Sequence, residues 1–199
     1  MRAEKVDTEI RREQIAQAAL DLIAIYGMKG LTNKKIAGMV GIVPSALYKH
    51  FKNKAQIIDA IIDLMVKSMR SLVNEATKIG DNPIECIKRF YLAECRMIAQ
   101  TPGAPFILFS DEVFGEKNKR KTKFMEAARL HFEELTNLFR RALEKKQIRQ
   151  DFSPETLAVF YMGLVSQTGF LVGRKTSAVE IFQHCERAWK AFRDMLNNW

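Results

Sequence analysis

From Leu22 through Ile58 the chain carries six lysines, Lys29, Lys34, Lys35, Lys49, Lys52 and Lys54, and no aspartate or glutamate. A run this one-sided repels itself unless an anion faces it, so its chemistry is that of holding a polyanion. Interleaved with the lysines are hydroxyl, phenol and imidazole groups at Thr32, Ser45, Tyr48 and His50, which can reach phosphates and base edges.

The elements that must position these groups are short. A helix over about 33–40 follows Thr32, whose hydroxyl can accept from an otherwise orphan backbone N–H. Ile36, Ala37 and Val40 give it an apolar stripe. Gly41 ends it, because glycine enters the left-handed conformation without a Cβ clash. Ile42 is an apolar plug. Pro44 opens a second helix at a position where a missing N–H costs nothing, and that helix carries Leu47 and Phe51 inward. About seven residues cannot hold a helix in water unaided, so neighbours must support it and its outer face is available for other work. The arrangement predicted is a helix-turn-helix, whose second helix fits the DNA major groove.

The residues IAGMVGIVPSALYKHFKNK closely resemble the DNA-binding signature of TetR-type transcriptional regulators. The preceding RREQIAQAALDLIAIYGMKGLT resembles that family's first helix and its link to the motif. The specific likeness covers about residues 9–62; the remainder is similar only in length and helical pattern. Within it, Leu47, Tyr48, His50, Phe51 and Lys54 form the most specific run. Val43 departs from the family, which often has serine or threonine there. The resemblance implies a DNA-binding face of Thr32, Lys34, Pro44, Ser45, Ala46, Tyr48, Lys49, His50 and Lys54. In that reading Tyr48, Lys49 and His50 contact phosphates and base edges. Ser45 and Ala46 sit close to bases, Ala46 against a thymine methyl, while Thr32 and Lys54 hold phosphates.

Bulk properties agree. The chain has 199 residues and a net charge of +9, with 47% hydrophobic residues, enough for a core. The first 54 residues carry ten lysines and arginines against five acids, so over half of the charge lies in about a quarter of the length. Cys86, Cys95 and Cys185 are too few for a disulfide framework and suit a reducing cytosol; the charged start of the chain has no apolar segment of a signal peptide. A cytoplasmic protein is expected. Thr156 to Gly173 is 18 residues without a charge, but Ser166, Gln167 and Thr168 at its centre favour a buried interface helix over a membrane span.

Helical periodicity runs throughout, and the fold class expected is all-α with about nine helices. An amino-terminal helix-turn-helix domain over 1–54 is followed by a ligand-binding and dimerisation domain over 55–199. A long helix over about 53–79 connects them and is the candidate transmission element. Breaks at Gly80–Pro83 and Thr101–Pro105 separate it from a helix over about 83–99 and a short one over 106–114. A basic run, Lys117 to Lys123, opens the next long helix, over 118–146, as a solvated face. Ser153, Pro154 and Glu155 form a strong start signal for a helix to about 172, and a last helix covers 177–197.

The last two helices have more apolar surface than one hairpin buries, so two copies are expected to pair through them as a homodimer. Twelve of thirteen phenylalanines lie between Phe90 and Phe192. A plastic apolar pocket is expected, lined by Phe90, Phe106, Phe109, Phe124, Met125, Phe132 and Phe170. Glu94, Arg96, Gln100 and His131 are equal candidates for its polar anchor. There is no glycine-rich phosphate loop and no nucleophile elbow, so no enzyme is expected. Cys86, Cys95, His131, His184 and Cys185 lack metal-ligand spacing; neither a metal nor a cofactor is expected. The function expected is a sequence-specific regulator, a repressor released from a palindromic operator by a small, mostly apolar ligand. One alternative is a DNA-bound protein whose second domain holds a protein partner; another is a small-molecule carrier with no sequence-specific DNA binding.

Overall fold

The computed structural model describes residues 8–77, 82–115, 119–171 and 178–197, with some side chains at the edges of these segments excluded. Ten α-helices and one 3₁₀ turn, and no strand, occur among the described residues. They are α1 (Thr8–Tyr26), the 3₁₀ turn Met28–Gly30, α2 (Asn33–Val40), α3 (Pro44–Leu47), α4 (Lys54–Thr77) and α5 (Pro83–Gln100). Then follow α6 (Ala104–Leu108), α7 (Asp111–Phe114), α8 (Lys119–Glu144), α9 (Pro154–Leu171) and α10 (Ala178–Leu196). The expected short helix over 106–114 is two helices, parted at Phe109 and Ser110. The Ser110 hydroxyl donates to the Ile107 carbonyl and satisfies one end of the first.

The chain forms two compact units. One contains the residues up to Lys67 together with Thr101–Phe124. The other contains Ser68–Gln100 and Met125–Trp199. The expected boundary at residues 54/55 therefore differs from the contact boundary, for two physical reasons. The first half of α4 sends Ile57, Ile58, Ile61, Ile62 and Val66 into the core, each buried. The segment containing α6 and α7 packs on α1, with Ile107 and Val113 fully buried and Gly103 against the backbone of Leu20. The expected solvated basic run is partly engaged here. Arg120 Nε donates to Asp59 Oδ1 at 2.6 Å and its other nitrogens to the carbonyls of Glu112 and Ala55, while Lys123 pairs with Asp63.

In the amino-terminal unit, Ile15, Leu20, Ile23, Ile36, Leu47 and Phe51 are all essentially inaccessible. Each such side chain stabilises by about 2 kcal/mol, which is what holds helices too short to stand alone. In the second unit α10 and α9 both pack on α5. Its core is aromatic: Phe90, Tyr91, Phe139, Tyr161, Trp189 and Phe192 meet edge-on or tilted, with centroids 5.6–6.5 Å apart. Ser153 caps α9 as expected, its Oγ accepting from the Thr156 amide at 3.1 Å.

Candidate nucleic-acid interface

The face is built by α2, the turn at Gly41 and α3. Thr32 is extended, with φ −120° and ψ 147°, and its Oγ1 accepts from the Lys35 amide at 3.4 Å. Gly41 is left-handed, at φ 74°, and its N–H returns to the carbonyls of Ala37 and Gly38. The Ile42 amide bonds the Ala37 carbonyl at 2.9 Å, which completes the turn. Val43 precedes α3 without a side-chain cap, as its type dictates, and Pro44 supplies the preset φ instead.

α3 is shorter than expected. It closes at Leu47, and residues 48–50 form a turn held by bonds from Lys49 N to the Ala46 carbonyl (3.2 Å) and from His50 N to the Leu47 carbonyl (3.0 Å). These three-residue bonds tighten the last turn, and the Phe51 amide then reaches the Leu47 carbonyl at 3.0 Å. Leu47 and Phe51, at the two ends of the turn, are both buried.

Thr32, Lys34, Pro44, Ser45, Tyr48, Lys49 and Lys54 are exposed, and Ala46 and His50 are half-buried. Lys54 opens α4, and its Nζ donates to the Met28 carbonyl at 3.4 Å, so phosphate must compete with that bond. Asn53 caps α4 by accepting from the Gln56 amide at 3.0 Å, while Gln56 Oε1 accepts from the Lys52 amide at 2.8 Å. Lys35 is turned aside, its Nζ 3.6 Å above the Tyr26 ring.

Three residues of this face were not singled out in the sequence. Asn33 Nδ2 donates to the Tyr48 hydroxyl at 2.8 Å and restrains an otherwise exposed phenol. Arg12 donates to the His50 carbonyl, and its guanidinium lies 4.2 Å from the Phe51 ring centre. Arg11 and Arg12, with Lys49, add charge beside His50; burial and then these cations hold its imidazole below the usual histidine range. No local pattern signals a contact between residues 38 apart, as Arg12 and His50 are.

Residues 15–61 match the model of the bacterial regulatory proteins of the tetR family. In this segment the chain is similar to the TetR family. The match spans the later part of α1, the whole helix-turn-helix and the start of α4. The matched family is one of bacterial regulatory proteins. The nucleoid occlusion factor SlmA of Haemophilus ducreyi is 22% identical over 198 residues, covering 96% of this chain and 95% of that protein. The ketosteroid transcriptional regulator KstR2 of Mycobacterium tuberculosis shares the fold, with a TM-score of 0.78, 15% identity and coverage of 95% of this chain and 96% of that one. AibR, solved with isovaleryl coenzyme A and operator DNA, shares it with a TM-score of 0.71 and 16% identity over 95% of this chain and 100% of that one.

The expected ligand-lining residues are distributed between the two units. Phe106, Phe109 and Phe124 belong to the amino-terminal unit, the first two well exposed. Phe90 is buried, Phe132 half-buried and Met125 exposed in the second unit, and the Phe170 side chain lies outside the described residues. Of the four candidate polar anchors, Glu94 and His131 are brought together in the core. Arg96 and Gln100 are exposed, Arg96 lying 5.9 Å from the Phe182 ring centre. Among the described residues no helix is long and apolar enough to cross a membrane.

The Asn33–Tyr48 bond makes a direct prediction. Asn33→Ala is expected to weaken DNA binding about threefold to tenfold, since an exposed hydrogen bond contributes about 1 kcal/mol. In a Tyr48→Phe background the same change is expected to cost little more. A double-mutant cycle read by fluorescence anisotropy checks this, and full additivity would show that Asn33 does not act through Tyr48.

Proposed function

We propose that this chain is a ligand-responsive repressor that binds a palindromic operator as a homodimer. The observation that carries the reading is the acid-free face of Thr32, Lys34, Ser45, Tyr48 and Lys49, all exposed on elements that are themselves buried on their other side. Two recognition turns must meet successive major grooves about 34 Å apart, which one protomer cannot do. α9 and α10 support pairing, because Val159, Phe160, Val179 and Met195 expose apolar surface on them. Ser45 and Ala46 read bases, Tyr48, Lys49 and His50 contact phosphates and base edges, and Thr32, Lys34 and Lys54 hold phosphates. Pro44 sets the approach of the helix. The effector is received by the second unit, and α4, which has residues in both units, carries the response.

Selection of bound fragments from genomic DNA at physiological salt, against excess random competitor, tests the reading. A recovered palindrome is the expected result; sequence-blind binding alone would overturn it. Lys54→Ala is expected to weaken binding to all sequences alike and to lower the salt slope by about one, as loss of one phosphate contact requires. A changed sequence preference with an unchanged slope would remove Lys54 from the phosphate contacts. The likeness to nucleoid occlusion factors supports a second reading, a DNA-bound protein whose second unit holds a protein partner. Many dispersed genomic sites, in place of one or a few beside regulated genes, would favour it.

A further inference from the structure

Reading base edges directly calls for forked donors and acceptors, and residues 32–54 are short of them. Guanine is read bidentately by arginine or lysine, adenine by asparagine or glutamine. This stretch has no arginine, no glutamine and two asparagines, Asn33 and Asn53. Both amides are occupied. Asn33 Nδ2 donates to the Tyr48 hydroxyl at 2.8 Å, and Asn53 Oδ1 accepts from the Gln56 amide at 3.0 Å. Two of the lysines are also engaged, Lys35 over the Tyr26 ring and Lys54 with the Met28 carbonyl.

The start of α3 is poorer still in polar groups. The first residues of a recognition helix are the ones that reach base edges. Here they are Val43 at the cap, then Pro44, Ser45 and Ala46, and Leu47 closes the helix inside the core. Of the four, Ser45 alone has a side chain that can form a hydrogen bond. Ala46 is half-buried. Val43 is 63% exposed, whereas Leu47, one turn on, is 1% exposed. Its backbone is extended, with φ −75° and ψ 145°, and its side chain caps nothing. The chain therefore presents an isopropyl group at the leading end of α3, within a stretch that has lysines and no acid.

An apolar group set among cations suits a partner that is anionic around an apolar spot. The DNA major groove is such a partner. Phosphates line both of its sides, and the thymine 5-methyl is the apolar group on its floor. A serine in place of Val43 could bond a phosphate, a contact that is blind to sequence; valine cannot. Resting on the DNA-binding reading above, we infer that Val43 is a specificity-determining residue, which packs its isopropyl group on the 5-methyl of one thymine in each half-site of the operator. The contact selects a T·A pair and adds nothing to the electrostatic affinity.

The test uses the full chain and an operator selected from a synthetic random duplex library, which contains no methylated cytosine. Each thymine of the half-site is replaced in turn by deoxyuridine, which keeps the base pair and its hydrogen bonds and removes the methyl. At one position the replacement is expected to weaken binding about fourfold in one half-site and about fifteenfold in both, the loss of one buried methyl per half-site. The salt slope is expected to stay the same, because no phosphate contact is lost. In Val43→Ser, which is expected to melt as the parent does because the side chain is exposed, the same replacement is expected to change affinity by less than about twofold. Deoxyuridine tolerated at every position by the unaltered chain, or a discrimination that survives undiminished in Val43→Ser, would overturn the assignment and leave the repressor reading standing. Failure to recover any operator would overturn both.

Discussion

Glu94→Gln is expected to abolish a loss of stability of about 2 kcal/mol that the unaltered chain suffers between about pH 6.5 and 8. The folded state keeps a proton on Glu94 up to about pH 8, whereas the unfolded chain gives it up from about 4.5. Over that interval the folded state binds more protons, so stability falls as pH rises, by about 1.4 kcal/mol per unit. His131 has the opposite sign. Its unfolded form charges below 6.5, but burial delays this to about pH 4 in the fold, so stability rises with pH across that window. From about pH 4.5 to 6.5 the two slopes offset; above 6.5 only the fall due to Glu94 remains. In the glutamine variant that fall disappears and the rise due to His131 stands alone. Urea titrations at half-unit intervals of pH measure both slopes. A profile in the unaltered chain that is flat from pH 6.5 to 8 would mean that Glu94 is already ionised in the fold, its charge held by the Tyr161 hydroxyl and His131.

The second large effect is expected at Gly103. This residue has φ −78°, which any amino acid adopts, so a left-handed backbone is not what requires glycine there. Space is the requirement. A Cβ would stand 2.1 Å from the Leu20 carbonyl oxygen and 3.2 Å from the Ala24 amide nitrogen, both backbone atoms of α1 that no rotamer change can move. Gly103→Ala must therefore push α6 off α1, and with it the fully buried Ile107. About 3 kcal/mol or more of stability is expected to be lost, the upper range for overpacking. Gly38→Ala is the matched control: its Cβ would meet nothing within 4 Å, and alanine within α2 is expected to stabilise by up to about 1 kcal/mol. Denaturant midpoints of the two variants, compared with the parent, decide the point. Equal midpoints would mean that α6 does not rest on α1 as described.

The helix-turn-helix was legible because its signals are local. Thr32 as a cap, Gly41 in the left-handed region, Pro44 at the first position of α3 and the spacing of Leu47 and Phe51 each act within four residues, and each holds in the structure. The bounds of α2 and the existence of the later long helices follow from the same short-range rules. The early end of α3 was not legible, because residues 48–50 contain no glycine or proline to mark the turn.

Among Glu94, Arg96, Gln100 and His131 the sequence offered no choice. All four are polar residues on helices, and which of them is desolvated depends on the partners that α8 and α9 bring to α5. Tyr161, the donor to Glu94, stands 67 residues away in the chain. The same holds for Arg12 under the recognition turn and for Thr101–Phe124 seated in the amino-terminal unit. Composition and local spacing by themselves determined that this is a helical protein with a basic DNA-binding end, because charge and short hydrogen-bonded turns need no distant partner. Only the tertiary structure decided which carboxyl is buried without a cation and which glycine touches another helix, because desolvation and steric contact are properties of the neighbours and not of the residue.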